Sequence, residues 1–300
     1  MVSYTQTPVL FLDSPNGKIA SFISEDEKNI HSDTVKSFGE EWKKFSHFSE
    51  QEIETAGRQY FDIVSDEMLN ANSLVLDIGT GSGRWTKYIS PKVKFVEAVD
   101  AGESVFSTQY FLKENKNVRI TQASASNIPF EDNAFDFVFS LGVFHHLPDT
   151  DAAIKQAVNK LKPGGYFLIY LYYNLENRSA GYKLIFSLSS IFRKFISSLP
   201  SFIKKIFCDL IAVFIYLPFI FISRMMKLIS ESGWRKIPLS YYTDKSFRII
   251  RNDSLDRFGT PLEKRFSKDE IRKMMESSGL RDIIFSEKEP FWHAVGKKAV

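Results

Sequence analysis

A short apolar run closed by three alternating glycines constrains this 300-residue chain more than any other feature: SLVLDIGTGSG, residues 73–83. The run 73–78 is too short for a helix and reads as a buried strand. The glycines demand a sharp turn, admit positive φ, and let a ligand approach the backbone closely. A short helix follows, and the unit then repeats. Residues 94–99, 118–122, 135–141 and 166–171 read as strands, the last after a turn at Lys162-Pro163-Gly164-Gly165, and 103–113 and 149–161 as helices. Strands alternating with helices at this spacing mean βαβ units and a mostly parallel sheet.

The flanks are less regular. Residues 1–33 read as a loosely structured polar arm with a turn at Pro15-Asn16-Gly17. Val35, Phe38, Trp42 and Phe45 share one face of a helix over 34–46, suited to core packing or to a lid. Ser49 with Glu52 forms a capping box that opens a second helix to about Leu69. Ser267 with Glu270 forms another, opening a helix that Gly279 caps. Two last strands, 281–287 and 291–296, are close enough for a hairpin, so the final strand is expected antiparallel. The predicted organisation is an N-terminal arm and helical lid (1–70), a core (71–172), a helical basic, Phe-rich insert with an acceptor-side loop (173–266), and a C-terminal helix with two strands completing the sheet (267–300).

Composition narrows the function. The single cysteine, Cys208, excludes a disulfide framework and a multi-cysteine metal site, and five histidines leave little for a metal centre. A formal net charge of +3 does not indicate a nucleic-acid partner. The N-terminus shows no basic start followed by an apolar run, so a cytoplasmic setting is expected.

Asp77 stands at the strand end before the glycines, where it faces the crevice in which open α/β sheets bind ligands. Asp100 ends the next strand about twenty residues on, where a carboxylate takes both ribose hydroxyls. The spacing G-x-G-x-G is tighter than the G-x-G-x-x-G of pyrophosphate binders. A glycine turn alone would also suit a nicotinamide or flavin enzyme.

The segments VLDIGTGSGRW (75–85), VEAVDA (96–101), SNIPFEDNAFDFVFSLGVFHHLPD (126–149) and LKPGGYFLIY (161–170) come in the order and spacing of a known family. The chain resembles class I S-adenosylmethionine-dependent methyltransferases, in particular the type 11 group that includes the ubiquinone and menaquinone methyltransferases. The likeness covers 73–172 and, more weakly, 267–297. It implies an α/β, doubly wound, Rossmann-like seven-stranded sheet with the last strand antiparallel, N-terminal helices, and a helical insert after the fifth strand. It implies S-adenosylmethionine as cofactor. Asp77 and the backbone of Gly79, Thr80, Gly81 and Gly83 would hold the methionyl end. Asp100 would bind the ribose, with Ala101 against the adenine. Ser124, Ala125 and Ser126 would flank the adenine edge, and Leu141 would pass under the methionine portion. The family commonly has an acid at or beside Ser124, so a hydroxyl or carbonyl replaces it here.

His145 and His146 follow the fourth core strand at the ligand-binding edge, and either suits a general base. One of them also suits packing or loop orientation. Tyr241, Tyr242, Asp256, Arg257 and Glu263 are candidates for acceptor contacts, in a loop that otherwise reads as solvated surface. The expected activity is methyl transfer to a small-molecule or lipid-linked acceptor, with oxygen favoured. C-methylation of a quinone-like lipid at the membrane and a catalytically silent cofactor-binding partner subunit are the alternatives.

Between Arg178 and Ser230 stand eight Lys/Arg and one acid, Asp209, interleaved with phenylalanines. LIAVFIYLPFIFI (210–222) carries no charge, but as a helix it spans only about 20 Å. Pro218 is expected to bend it, so a transmembrane span is not expected. The insert fits a cap over an apolar pocket, a peripheral contact through 185–230 with the inner face of an anionic membrane, or a homodimer face.

Overall fold

The apolar run around Val75 is the central strand of a parallel sheet, buried on both faces, which is why it reads as continuous rather than alternating. The computed structural model describes residues 1–24, 29–35, 48–176, 180–230 and 232–300. These divide into two units, Met1–Asn177 with Leu262–Val300, and Arg178–Pro261.

The strands of the first unit are β1 (Leu10–Ser14), β2 (Gly17–Ser21), β3 (Leu74–Ile78), β4 (Phe95–Asp100), β5 (Val118–Gln122), β6 (Phe135–Leu141), β7 (Leu161–Tyr170), β8 (Leu280–Phe285) and β9 (His293–Lys298). The helices with both ends among the described residues are α1 (Glu50–Tyr60), α2 (Arg84–Ile89), α3 (Ser104–Phe111), α4 (Thr150–Lys160), α5 (Ala180–Ser197), α6 (Ser201–Ile211), α7 (Leu217–Ile229), α8 (Phe247–Gly259) and α9 (Lys268–Ser277). Among the described residues the sheet has nine strands in the order β1-β2-β5-β4-β3-β6-β7-β9-β8. β5, β4, β3, β6 and β7 run parallel, and β9 is antiparallel to both β7 and β8.

Nine strands replace the expected seven because part of the supposed loose arm is a hairpin. β1 and β2 pair antiparallel around Pro15-Asn16, with Gly17 at φ +109°. β2 then joins β5 in parallel, covering what would otherwise be an open edge. Ile19 is buried beside Ala98, Val105 and Ile120. The outer strand β1 stays largely exposed, Leu10 and Phe11 included.

Other boundaries also move. The Ser49 capping box is present, but α1 ends at Tyr60 rather than near Leu69. Phe61 and Leu69 leave the helix to pack with Val75 and Trp85 in the core. The Lys162–Gly165 turn lies inside β7, where the register with β6 shifts between Phe135 and Phe137. Asp149 caps α4 by accepting from the Ala152 N–H at 2.9 Å. The Ser267 capping box opens α9, and Gly279 follows it at φ +91°. Phe38, Trp42 and Phe45 of the proposed lid lie outside the described residues.

In the second unit, α6, a π-helical turn (Ala212–Tyr216) and α7 form one continuous helix, Phe202–Ile229. Pro218 does not break it. The proline stands in the first turn of α7, directly after the wider turn that relaxes the hydrogen-bond ladder. The segment expected as an acceptor-side loop is largely helical. Ser246 caps α8, which buries Ile250, Ser254, Leu255 and Phe258.

Candidate active site

The C-terminal ends of the parallel strands place the sequence-predicted residues, beginning with Asp77 on β3. The Asp77 side chain is buried. Its Oδ2 accepts from the Thr86 hydroxyl at 2.5 Å, on the first turn of α2. Its Oδ1 is buried with no hydrogen-bond partner among the described residues. Burial pushes the Asp77 carboxyl up to about 7, outweighing the hydroxyls of Thr86 and Thr80 that favour the charged form.

The glycine turn is held from three sides. The N–H groups of Gly79 and Thr80 both donate to the Val99 carbonyl, at 2.8 and 3.0 Å. The Gly81 N–H donates to Asp100 Oδ2 at 2.9 Å, and the Thr108 hydroxyl donates to the Gly81 carbonyl. The Gly83 N–H donates to the Thr80 carbonyl at 2.8 Å. These amides are therefore engaged within the protein. Gly79 has φ +80°, and a Cβ there would fall within the Val143 side chain, from the loop after β6. This close approach requires glycine whether or not a ligand is bound.

Asp100 ends β4 with a fixed orientation. Its Oδ1 accepts from the Gly102 N–H and the Ser104 hydroxyl, both at 2.8 Å. Oδ2, with one donor from Gly81, keeps accepting capacity for a ligand hydroxyl. Ala101 follows it, and its carbonyl accepts from the Gln122 amide at 3.4 Å. Ser124 lies beyond β5 on the neighbouring strand end. Its hydroxyl pairs with Ser126 at 3.0 Å and accepts from the Asn127 N–H at 3.2 Å, with Ala125 buried between. Leu141 is buried at the end of β6.

His145 and His146 lie in a short 3-10 turn, Phe144–His146, immediately after Val143. Both are buried. His146 donates through Nδ1 to the Leu262 carbonyl at 2.7 Å, so its role includes tying this loop to the segment before α9. His145 has no hydrogen-bond partner at either ring nitrogen among the described residues. Its ring stacks on Tyr172, with centroids 3.9 Å apart and planes at 26°. Burial holds the His145 imidazole well below the usual histidine range, helped by the charges of His146 and Arg265. His145 is therefore neutral near pH 7, with a lone pair available.

The chain around residue 263 completes this cluster. The Lys264 N–H donates to the His145 carbonyl at 2.9 Å. The Glu263 side chain, shielded from solvent, pairs with Arg265 at 2.7 Å, and Arg265 lies 5.3 Å over the Tyr172 ring. Of the acceptor candidates, Glu263 thus belongs to the first unit. Tyr241, Tyr242, Asp256 and Arg257 belong to the second. There Tyr242 packs 5.3 Å from Tyr216, Arg257 lies over Phe186, and Asp256 accepts from Thr260.

Sequence reasoning missed several residues of the first unit's site. Thr86 carries no motif of its own, yet it is the donor to Asp77. Tyr172, Tyr170 and Tyr60 form an aromatic run leading away from His145. The strand periodicity of β7 placed Tyr170 but gave no sign that Tyr172, two residues past the strand, stacks on a histidine. His293, with ring nitrogens 2.8 Å from the Asp62 carboxylate and the Pro290 carbonyl, stacks near Tyr60.

Residues 76–169, from the middle of β3 through β7, match a family described as a methyltransferase domain. Over that stretch the chain is similar to a methyltransferase domain. Relatives named as methyltransferases match part of the chain. A methyltransferase of Bacillus subtilis, YcgJ, is 28% identical over 138 residues, 45% of this chain and 54% of that protein. The ubiquinone/menaquinone biosynthesis C-methyltransferase UbiE of Rickettsia felis is 31% identical over 126 residues, 37% of this chain and 49% of its own. The chain thus spans about half the length of these curated relatives. The crystal structure of a methyltransferase from Aquifex aeolicus covers 84% of this chain and 98% of its own, at 17% identity and TM-score 0.44.

S-adenosylmethionine is the cofactor of such a domain. The residues fit it. The buried Asp77 oxygen without a donor suits an ammonium group, and the spare lone pair of Asp100 Oδ2 suits a ribose hydroxyl.

Proposed function

We propose that this protein transfers the methyl group of S-adenosylmethionine to the hydroxyl oxygen of a small-molecule or lipid-linked acceptor, with His145 as the base. The single observation carrying this reading is the state of His145: neutral, buried, and without a hydrogen-bond partner at either ring nitrogen, in the loop that packs on the glycine turn. When bound, S-adenosylmethionine supplies a methyl group already activated by its sulfonium. The protein's part is alignment and proton removal. Asp77 holds the amino group, and Asp100 orients the ribose. His145 accepts the acceptor's hydroxyl proton at a ring nitrogen as the oxygen–carbon bond forms. Tyr172 fixes the plane of the imidazole, and burial, with help from His146 and Arg265, keeps it neutral.

A second reading is supported by the same cluster. The aromatic run Tyr172, Tyr170 and Tyr60 suits a planar ring, and a base that deprotonates a phenol also activates the ring carbon beside it. The relative named a C-methyltransferase supports this version.

Calorimetric titration with S-adenosylmethionine and S-adenosylhomocysteine tests the cofactor site, with Asp100→Ala as control. Transfer of labelled methyl to a panel of hydroxylated and quinol acceptors tests the reaction. His145→Ala should lower the rate by about 10²-fold or more while cofactor affinity is kept. Because His145 titrates below the ordinary range, the acid limb of kcat/KM should fall below pH 6.5. Arg265→Gln, which removes a charge that opposes protonation, should move that limb upward. An unchanged rate in His145→Ala would remove it as the base.

A further inference from the structure

The second unit presents an apolar surface that its own packing does not cover. On the helix Phe202–Ile229, the buried positions Cys208, Ala212, Tyr216, Ile220 and Ser223 recur every three or four residues and form one narrow stripe. Within the unit that stripe meets α8 and the segment after α7. Ser254 donates to the Cys208 carbonyl at 2.8 Å, and the Ser223 and Thr243 hydroxyls pair at 3.0 Å. Most of the remaining circumference between its charged ends is apolar and exposed, including Phe207, Phe214 and Phe221, with Phe202 and Leu228 exposed near the ends. Phe214 is 71% exposed at mid-helix. Phe192 and Phe195 of α5 are exposed too.

Charge complements this face. Arg193, Lys194, Lys204, Lys205, Arg224 and Lys227 lie on the same helices, toward the ends of the apolar stretch. Within the unit Lys227 pairs with Asp244 at 2.9 Å, and Arg193 and Arg224 each donate to a backbone carbonyl, of Thr260 and Thr243. Asp209, the one acid among them, is held by a two-pronged pair with Arg251 at 2.6 and 2.8 Å. A large apolar patch rimmed by cations matches an anionic lipid surface, whose acyl chains take the phenylalanines and whose phosphates take the cations.

Length alone would let this helix cross a bilayer, since 28 residues rise about 42 Å. Its neighbour argues against a crossing. α8 packs along α6 and carries Arg248, Arg251, Asp253, Asp256 and Arg257. A perpendicular helix would carry those charges into the hydrocarbon, at a cost of several kcal/mol each. A helix lying in the interface keeps α8 on the water side.

We propose that the second unit is a monotopic anchor for an anionic bilayer. Helix Phe202–Ile229 lies in the membrane plane, its phenylalanines among the acyl chains and its flanking lysines and arginines against lipid phosphates.

Co-sedimentation of the 300-residue chain with phosphatidylcholine vesicles, with and without phosphatidylglycerol, tests this. Binding should require the anionic lipid and weaken at high salt. A Phe214→Asp, Phe221→Asp variant should lose about tenfold or more in partitioning with its far-ultraviolet circular dichroism unchanged, because both side chains are exposed in the fold. Nitroxides placed by Ile206→Cys, Phe214→Cys and Ile222→Cys, in a Cys208→Ala background, should all report the same shallow depth. A depth that reaches the bilayer centre at 214 would replace the anchor with a span. Absence of binding, or equal binding by the aspartate variant, would overturn the proposal. So would a concentration-dependent dimer that the variant abolishes without any vesicle binding, which would assign the face to a second copy of the chain.

Discussion

Asp77 stands in an environment that opposes its own charge. One oxygen has a hydroxyl donor and the other has none, and burial raises the carboxyl to about 7 from 3.8. The folded state therefore holds a proton that the unfolded chain releases at lower pH. This residue's contribution is most favourable below pH 3.8, declines as pH rises to about 7, and is constant beyond. The loss reaches at most about 4 kcal/mol by linkage. Asp77→Asn keeps an oxygen for Thr86 and removes the titration. It should raise stability toward denaturant at pH 8 by up to that amount and leave it nearly unchanged at pH 4, while S-adenosylmethionine affinity falls at least tenfold. Urea midpoints at the two pH values read the first effect and calorimetry the second. An equal stability change at both would show that the carboxyl is not desolvated. Under the proposed function, the ammonium of the bound cofactor would supply the missing counter-charge, so a residue that weakens the empty fold would become favourable once the cofactor is bound.

At the scale of elements, the glycine turn is a junction between loops as much as a ligand cradle. Gly79→Ala meets two costs at once, a left-handed φ and an overlap with Val143. Together they should destabilise by about 2–5 kcal/mol. Adding Val143→Ala should recover the overlap part and leave the φ part, a coupling that a double-mutant cycle of denaturation free energies measures. Strict additivity would mean the two loops do not touch. The turn was legible in the sequence because glycine at 79, 81 and 83 has few alternative explanations after a strand. The core strands were legible for a related reason: 118–122 alternates apolar and polar residues, 135–141 is rich in phenylalanine, and both are flanked by polar or turn residues. The hairpin β1–β2 was harder to see. Only Ile19, Ala20 and Ser21 are buried in β2, and the outer strand faces solvent. α8 was read as loop because Asn252, Asp253, Ser254 and Gly259 are loop formers by local propensity, and tertiary burial of Ile250, Leu255 and Phe258 overrides that. Of the candidate site, the motif residues Asp77 and Asp100 were readable, whereas Thr86, Tyr172 and Arg265 reach their partners through packing that no local pattern encodes.

The whole molecule joins two units with different relations to water. The first has a sheet whose central strands are buried on both faces, so its stability comes from its own core and from its cofactor. The second buries a narrow stripe and a few residues of α8, and leaves most of an apolar helix exposed. Its stability should depend on what covers that helix. Thermal unfolding is therefore expected to show two transitions with separate ligands. S-adenosylhomocysteine at about a hundred times its Kd should add about 2.7 kcal/mol to the transition of the first unit alone. Phosphatidylglycerol vesicles should raise the other. Differential scanning calorimetry can assign them, since each ligand names the unit it moves. A single transition shifted by both ligands would mean that the units fold as one cooperative body, and membrane attachment would then be linked in free energy to cofactor binding.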